Sequence, residues 1–166
     1  ALKVCLFATG CAAIVAEYTL ATLASYLIGN AIIQWTLVIS LMLFSMGLGS
    51  RATRNIKEKL LDRYIAVEYV LSLLCAFSAI FCYSAAAFTQ NIGIVVYGSA
   101  CMIGFFTGME LPLITRVNNN YQPLRDNIAS VMEYDYYGAL IGGGLFAFLL
   151  LPFLGLTYTP ILLGTI

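Results

Sequence analysis

The sequence predicts an all-α protein: a polytopic helical membrane bundle with five full spans, the start of a sixth, and a cytoplasmic N-terminus. Three observations predict it. Of the 166 residues, 61% are hydrophobic and 10% charged, where an ordinary soluble domain carries about 25% charge; the mean hydropathy is +0.92. The apolar residues fall into runs of about twenty, the length at which a helix crosses a bilayer. Every Lys and Arg lies at the same alternate ends of those runs, and basic ends are the cytoplasmic ones. A closed β-barrel is the rival spanning structure, and long runs without alternation argue against it.

The first span is read over about residues 4–28, preceded by Lys3 and closed by the turn pair Gly29-Asn30. The second covers 32–50 and ends in Gly47 and Gly49. A polar connection follows, with Arg51, Arg54, Lys57, Lys59 and Arg63. Within it IKEKLLDRYI mixes charged and apolar residues, which predicts a short helix along the membrane interface. The third span covers 64–87, and Phe88 to Asn91 break it from the fourth, at 92–114. The connection 116–127 carries VNNNYQP with Arg116 and Arg125. The fifth span covers 130–154, Gly155 to Tyr158 form a break, and a sixth begins near Thr159.

Residues 1–166 thus read as a single transmembrane domain. The chain begins without Met and stops at Gly164-Thr165-Ile166 inside an apolar stretch, so a longer protein is expected. The first segment has no basic n-region or clear cleavage site, and no secretory signal is expected. Eight basic residues balance eight acidic ones, which leaves no basic excess for nucleic acid.

Several function classes are excluded. There is no histidine, which removes zinc or haem sites built on it. Cys5, Cys11, Cys75, Cys82 and Cys101 lie in apolar segments without a CxxC, and read as small packing residues rather than metal ligands. No phosphate-binding glycine loop, Walker lysine or Ser/His pair is present, so this chain holds no catalytic constellation and no cofactor is expected in it.

What remains is acid. Carboxylates inside membrane spans are costly and mark functional sites by default. Glu17 lies near the middle of the first span, Glu68 early in the third, Glu110 near the end of the fourth, and Glu133 and Asp135 open the fifth. These five are the ligand or cation-binding candidates. Alternating helices place the last four near the cytoplasmic face as an acidic layer, with Glu17 deeper. The competing reading pairs them with Arg51, Arg63 or Arg116 at the same face. Tyr121, Tyr134, Tyr136 and Tyr137 cluster at that end as interfacial belt residues.

Glycines set the expected packing. Gly104 and Gly108 make a GxxxG in the fourth span, and Gly138 and Gly142 make one in the fifth. Small faces let helices touch, which predicts close packing of the fourth span on the fifth, with Glu110 near Glu133 or Asp135. Pro112 has no N–H, so the Gly108 carbonyl loses its helical donor. That gives either a polar pocket beside Glu110 or a simple kink.

The run GMELPLITR, followed by ASVMEYDYYGALIGGGLFAFLLLPFLGL, resembles the membrane domain of transmembrane spermidine synthase-like proteins. In that family one span ends in G-M-E-[IL]-P-L, and the next opens with D-Y-x-G-A-L and closes on L-L-P-x-L-G-L. GCAAIVAEYTLATLASYLIGN and MGLGSRATR are also similar to its first two spans. Glu17, Gly108, Glu110, Pro112, Asp135 and Gly138 fall on its motif positions. The resemblance implies a soluble Rossmann-like aminopropyltransferase domain downstream, which makes spermidine from putrescine and decarboxylated S-adenosylmethionine. This chain would anchor that enzyme in the bacterial inner membrane, with polyamine binding at the cytoplasmic face. Its partners would be the lipid bilayer, its own downstream domain, and either a second copy or other membrane subunits. Two other classes stay open: a small cation or proton transporter centred on Glu17, and a structural subunit of a larger membrane complex.

Overall fold

The computed structural model describes residues 2–56, 59–89, 91–118 and 124–164, with the backbone alone for residues 2 and 124–126. Lys57, Tyr121 and the side chain of Arg125 lie outside the described residues. Six α-helices carry the fold: α1 (Leu2–Ile28), α2 (Ala31–Ala52), α3 (Leu60–Phe88), α4 (Ile92–Asn118), α5 (Leu124–Leu145) and α6 (Gly155–Leu163). A 3-10 turn, Thr53–Asn55, extends α2, and a π-helical stretch, Phe146–Leu154, joins α5 to α6. No strand occurs among the described residues. Five segments are long and apolar enough to cross a membrane, the fifth running from Asn127 to Leu163.

Local chemistry sets the boundaries. α1 stops at Gly29, which has φ 89°, and Asn30 follows at φ 51°. Two successive left-handed residues reverse the chain, and Asn is among the few side chains that tolerate this. Its Oδ1 then accepts from the Ile33 N–H at 3.5 Å and opens α2. Pro152 cannot donate to the carbonyl four residues back. The helix there loosens into π-type pairing, the usual response to a disrupted ladder. Gly155, at φ 65°, ends that stretch, and its N–H reaches the carbonyls of Leu150 and Leu151.

Four expected boundaries move. α3 begins at Leu60, so the apolar-charged run 60–65 is its first turns and forms no separate interfacial helix. α4 runs through Pro112 to Asn118, which sets Glu110 two turns inside. α5 begins at Leu124, so Glu133 and Asp135 lie in its third turn and beyond rather than opening it. The sixth helix starts at Gly155 rather than near Thr159, because one glycine makes the whole break.

The expected packing of the fourth span on the fifth is overturned. Gly104 and Gly108 seat against the backbone of Met42 and Met46 on α2. Gly138 and Gly142 seat against Phe7 and Cys11 on α1. A GxxxG shows that a helix can be approached closely and does not name the partner. The partners here bring single glycines of their own: Gly49 of α2 abuts Phe105 of α4, and Gly10 of α1 abuts Asp135 of α5. A Cβ at Gly104 would stand 2.7 Å from the Met42 carbonyl oxygen, and one at Gly142 would stand 2.7 Å from that of Cys11. α6 packs on α3, where the Ser72 hydroxyl donates to the Gly164 carbonyl at 2.6 Å.

Two buried clusters result. The larger includes Val15, Leu20, Leu23, Val38, Met42 and Ile103. The smaller gathers Leu6, Tyr64, Val67, Leu113, Ile114 and Val131. The outer surface is apolar as well, with Ile32, Phe44, Phe77, Phe148 and Phe153 each more than half exposed. That is far more exposed apolar surface than a water-facing exterior carries.

Three contacts show which helix ends lie together. Arg116 Nη1, near the end of α4, donates to the carbonyls of Thr53 at 2.8 Å and Ile56 at 3.0 Å, just past α2. Cys5 Sγ of α1 lies 3.5 Å from the Tyr64 hydroxyl of α3. Lys3 Nζ sits 5.0 Å from the centre of the Tyr134 ring on α5. The start of α1, end of α2, start of α3, end of α4 and early turns of α5 therefore form one end of the bundle. Lys3, Arg51, Arg54, Lys59, Arg63 and Arg116 all belong to it.

Candidate functional site

The acids form a layer inside that basic end. Glu68 is eight residues into α3, and Glu110 is eight residues from the end of α4. At 1.5 Å per residue each lies about 12 Å inside its helix end. Glu110 is 2% exposed and stands at the centre of the group. Glu68 and Asp135 are both within electrostatic reach of it, and the Thr9 hydroxyl reaches it from α1. Four helices thus converge on one carboxyl group.

Each partner has a local reason for its place. Thr9 and Gly10 are neighbours on α1. Gly10 lets α5 approach until a Cβ there would stand 2.8 Å from Asp135 Oδ1. Gly108, two residues before Glu110, seats α4 on α2, and Leu113 and Ile114 bury the turn that follows. The Tyr64 hydroxyl, one turn before Glu68 on α3, reaches that carboxyl group. Glu68 Oε1 and Glu110 Oε1 are nevertheless both buried without a hydrogen-bond partner. Burying such an oxygen costs roughly 1–3 kcal/mol.

A cavity of about 230 Å³ adjoins Glu68, and Glu110 and Asp135 are not part of its wall. Its wall includes Glu68, Thr9, Ser72, Cys75 and Thr107, and otherwise consists mostly of alanine and larger apolar side chains. The hydroxyls in this wall lie against backbone carbonyls. Thr9 donates to Leu6 at 3.1 Å, Ser72 to Gly164 at 2.6 Å and Thr107 to Ile103 at 2.9 Å.

The candidate acids therefore separate. Glu68, Glu110 and Asp135 come together. Glu133 points outward and is exposed. Glu17 is half-buried, two turns further along α1 than Gly10, and meets no polar partner among the described residues. The alternative that arginines neutralise the acids does not hold for Arg116, which serves backbone carbonyls. No basic side chain acts on Glu68 or Glu110 among the described residues. Pro112 leaves α4 helical, and what approaches Gly108 is the α2 backbone at the Met46 carbonyl, an acceptor. Among the described residues no three Cys, Asp or Glu are grouped to hold a metal ion.

Two buried polar links escaped the sequence reading. Asn127 of α5, 0% exposed, donates to the Thr115 carbonyl at 2.7 Å and accepts from Asn118 at 2.7 Å, which ties α5 to α4. Toward the other end, the Tyr97 hydroxyl donates to Gln34 Oε1 at 2.5 Å and ties α4 to α2. Asn127 follows a polar connection and looks like loop. Gln34 was lost in an apolar span, where a lone amide is the one signal available.

No family model matches the chain, and no solved structure does. Curated proteins do match it. It is 50% identical over 165 residues to polyamine aminopropyltransferase 2 of Aquifex aeolicus, covering 99% of this chain and 34% of that protein. It is 34% identical over 156 residues to the polyamine aminopropyltransferase of Oceanobacillus iheyensis, covering 92% of this chain and 30% of that one. It is 36% identical over 168 residues to polyamine aminopropyltransferase 2 of Streptomyces coelicolor, covering 94% and 30%. The chain spans about a third of the length of these relatives. This six-helix chain is thus a homologue, over nearly all of its own length, of a part of the polyamine aminopropyltransferases.

Proposed function

We propose that this chain is the membrane-spanning part of a polyamine aminopropyltransferase, with its basic end in the cytoplasm. It anchors the catalytic part of the protein and presents its acidic layer to polyamine at that face. One observation carries the reading: 99% of an apolar-surfaced helical chain aligns, at 50% identity, with about a third of a protein whose name states aminopropyl transfer to polyamines. Two features support it. Helices of 22 to 29 residues are about 33–44 Å long, enough for a hydrocarbon core of about 30 Å. The basic residues gather at one end, as cytoplasmic ends do.

The enzyme is expected to take its aminopropyl group from decarboxylated S-adenosylmethionine and to use putrescine as acceptor. The test uses the complete gene product. Alkaline carbonate should leave it in the membrane pellet. Reporter fusions should place Asn118 inside and Asn30 outside. The purified protein should convert putrescine to spermidine. A carbonate-soluble protein, or a membrane protein without transferase activity, would remove the reading.

A further inference from the structure

α6 makes half a crossing. It has nine residues, about 14 Å at 1.5 Å per residue, against a hydrocarbon core about 30 Å thick. Its course is read off α3. Thr157, in its first turn, is within reach of Tyr83. Gly164, just past its last residue, packs on Ala76 and accepts from Ser72. Tyr83 lies toward the end of α3 that is far from the basic residues, and Ser72 lies near its middle. α6 therefore runs antiparallel to α3, heads for the basic end, and reaches about mid-depth.

It also occupies a groove. Leu163 is buried with Val15 and Ala16 of α1 and with Leu71 and Cys75 of α3, so the end of α6 lies between these two helices. Past Leu163 the same groove continues as the cavity of about 230 Å³. The cavity wall starts at Leu163 and Ala16, and it reaches Cys5 on α1 and Glu68 on α3, toward the basic end.

Three properties of this groove decide what fits it. The first is direction: it prolongs α6 between the same two neighbours. The second is length. Along α1 it runs from Ala16 to Cys5, which is about 16 Å, and about 16 Å is what α6 lacks of a full crossing. The third is surface. Ala8, Ala12, Ala13 and Ala16 recur at helical spacing on one face of α1, and small faces let a second helix approach closely. A lipid chain requires no such face. The cavity seats the inward side chains of a helix about 10 Å across, rather than the whole of it. The chain spans about a third of the length of its relatives, so the full-length protein has further chain to supply.

We infer that the stretch following residue 166 in the full-length protein completes the crossing that α6 begins, and seats as a helix in this cavity between α1 and α3. It leaves the bundle at the basic end, beside Cys5. The inference deepens the reading above and rests on it: the catalytic part then hangs from the basic face, and the cavity is a helix seat rather than a ligand pocket.

Cys5 allows a test that leaves α1 unaltered, since a disulfide forms only where two Cβ atoms come within about 3.5–4.5 Å. In membranes holding the full-length protein, a cysteine is placed in turn at each of about a dozen positions after residue 166 and oxidised with copper phenanthroline. Bridges to Cys5 within one copy are expected from the far part of that stretch, on one helical face, and Cys5→Ser should abolish them. With Ala12→Cys added, bridges to position 12 are expected from positions nearer to residue 166. Three results would overturn the inference. One is no bridge to either site. Another is bridges only between two copies, which would seat a partner's helix there. The third is labelling of Ala12 and Ala13 by a phospholipid with a photoactivatable acyl chain, which would seat a lipid. Carbonate extraction and putrescine transfer are measured on the same preparation. If both persist without a bridge, the inference alone falls. If the protein leaves the membrane pellet, the broader reading falls, and this one falls with it.

Discussion

Glu68 of α3 and Glu110 of α4 stand within electrostatic reach of each other, each with a buried carboxyl oxygen that no donor meets among the described residues. A pair like this works against the fold. Glu110→Gln keeps the shape and adds an N–H that can donate to Glu68 Oε1. One substitution then satisfies an orphaned acceptor and removes a like acid. The variant is expected to be more stable than the parent by about 1 kcal/mol, a rise in Tm of about 2–4 °C for a protein of this size. Thermal melting in detergent checks it. A lower Tm would mean that Glu110 is already satisfied, and that the fold rather than a ligand keeps it.

The glycine seams separate by partner. Gly108 packs on the Met46 backbone, and a Cβ there has no room. Gly98, on the same helix, has nothing within 4 Å of its would-be Cβ. Gly108→Ala should destabilise the bundle by about 1–3 kcal/mol through overpacking. Gly98→Ala should be neutral or slightly stabilising, since alanine is the better helix former. Melting curves of the two variants, measured side by side, give the comparison. Equal losses would show that α4 does not meet α2 through Gly108.

Arg116 holds the turn after α2. Its Nη1 reaches two carbonyls, those of Thr53 and Ile56. Arg116→Ala leaves both without that donor and should cost about 1.5–3 kcal/mol. Arg116→Lys should recover only part of this, because an ammonium is a compact group on a different stem and lacks the planar guanidinium fork. The local signature is faster amide exchange at Thr53 and Ile56, while that at Met42 stays slow. Exchange that is unchanged at all three would place the anchor of this turn elsewhere.

The sequence carried the helices well and the seams poorly, for physical reasons. Span number follows from apolar length alone, so the runs around Val15, Val38, Cys75 and Ile103 were legible. Helix ends were not, because charged residues such as Asp62 and Arg116 belong to helices that project past their apolar runs. The glycines were legible as contact points and ambiguous as to partner. Gly49 and Gly10, which answer them from α2 and α1, make no motif. Glu68, Glu110 and Asp135 were each legible as misplaced charges. Their convergence was not, because it depends on α1, whose Thr9 and Gly10 carry no charge to notice.

Gln34 and Tyr97 offer the sharpest test of the α2–α4 pairing. Their hydrogen bond, at 2.5 Å, joins residues 63 apart in sequence, and Gln34 is 6% exposed. Tyr97→Phe orphans the Gln34 carbonyl oxygen, and Gln34→Leu orphans the Tyr97 hydroxyl. Each should cost about 1–3 kcal/mol, since a buried group left unpaired loses its full desolvation term. Removing both leaves nothing unpaired, so the double variant should cost less than the sum of the singles, by about 0.5–3 kcal/mol. Unfolding free energies of the four proteins in mixed micelles close the cycle. Strict additivity would mean that the two side chains do not meet in the folded bundle. It would also remove a polar contact that ties α2 to α4 toward the end opposite the acids.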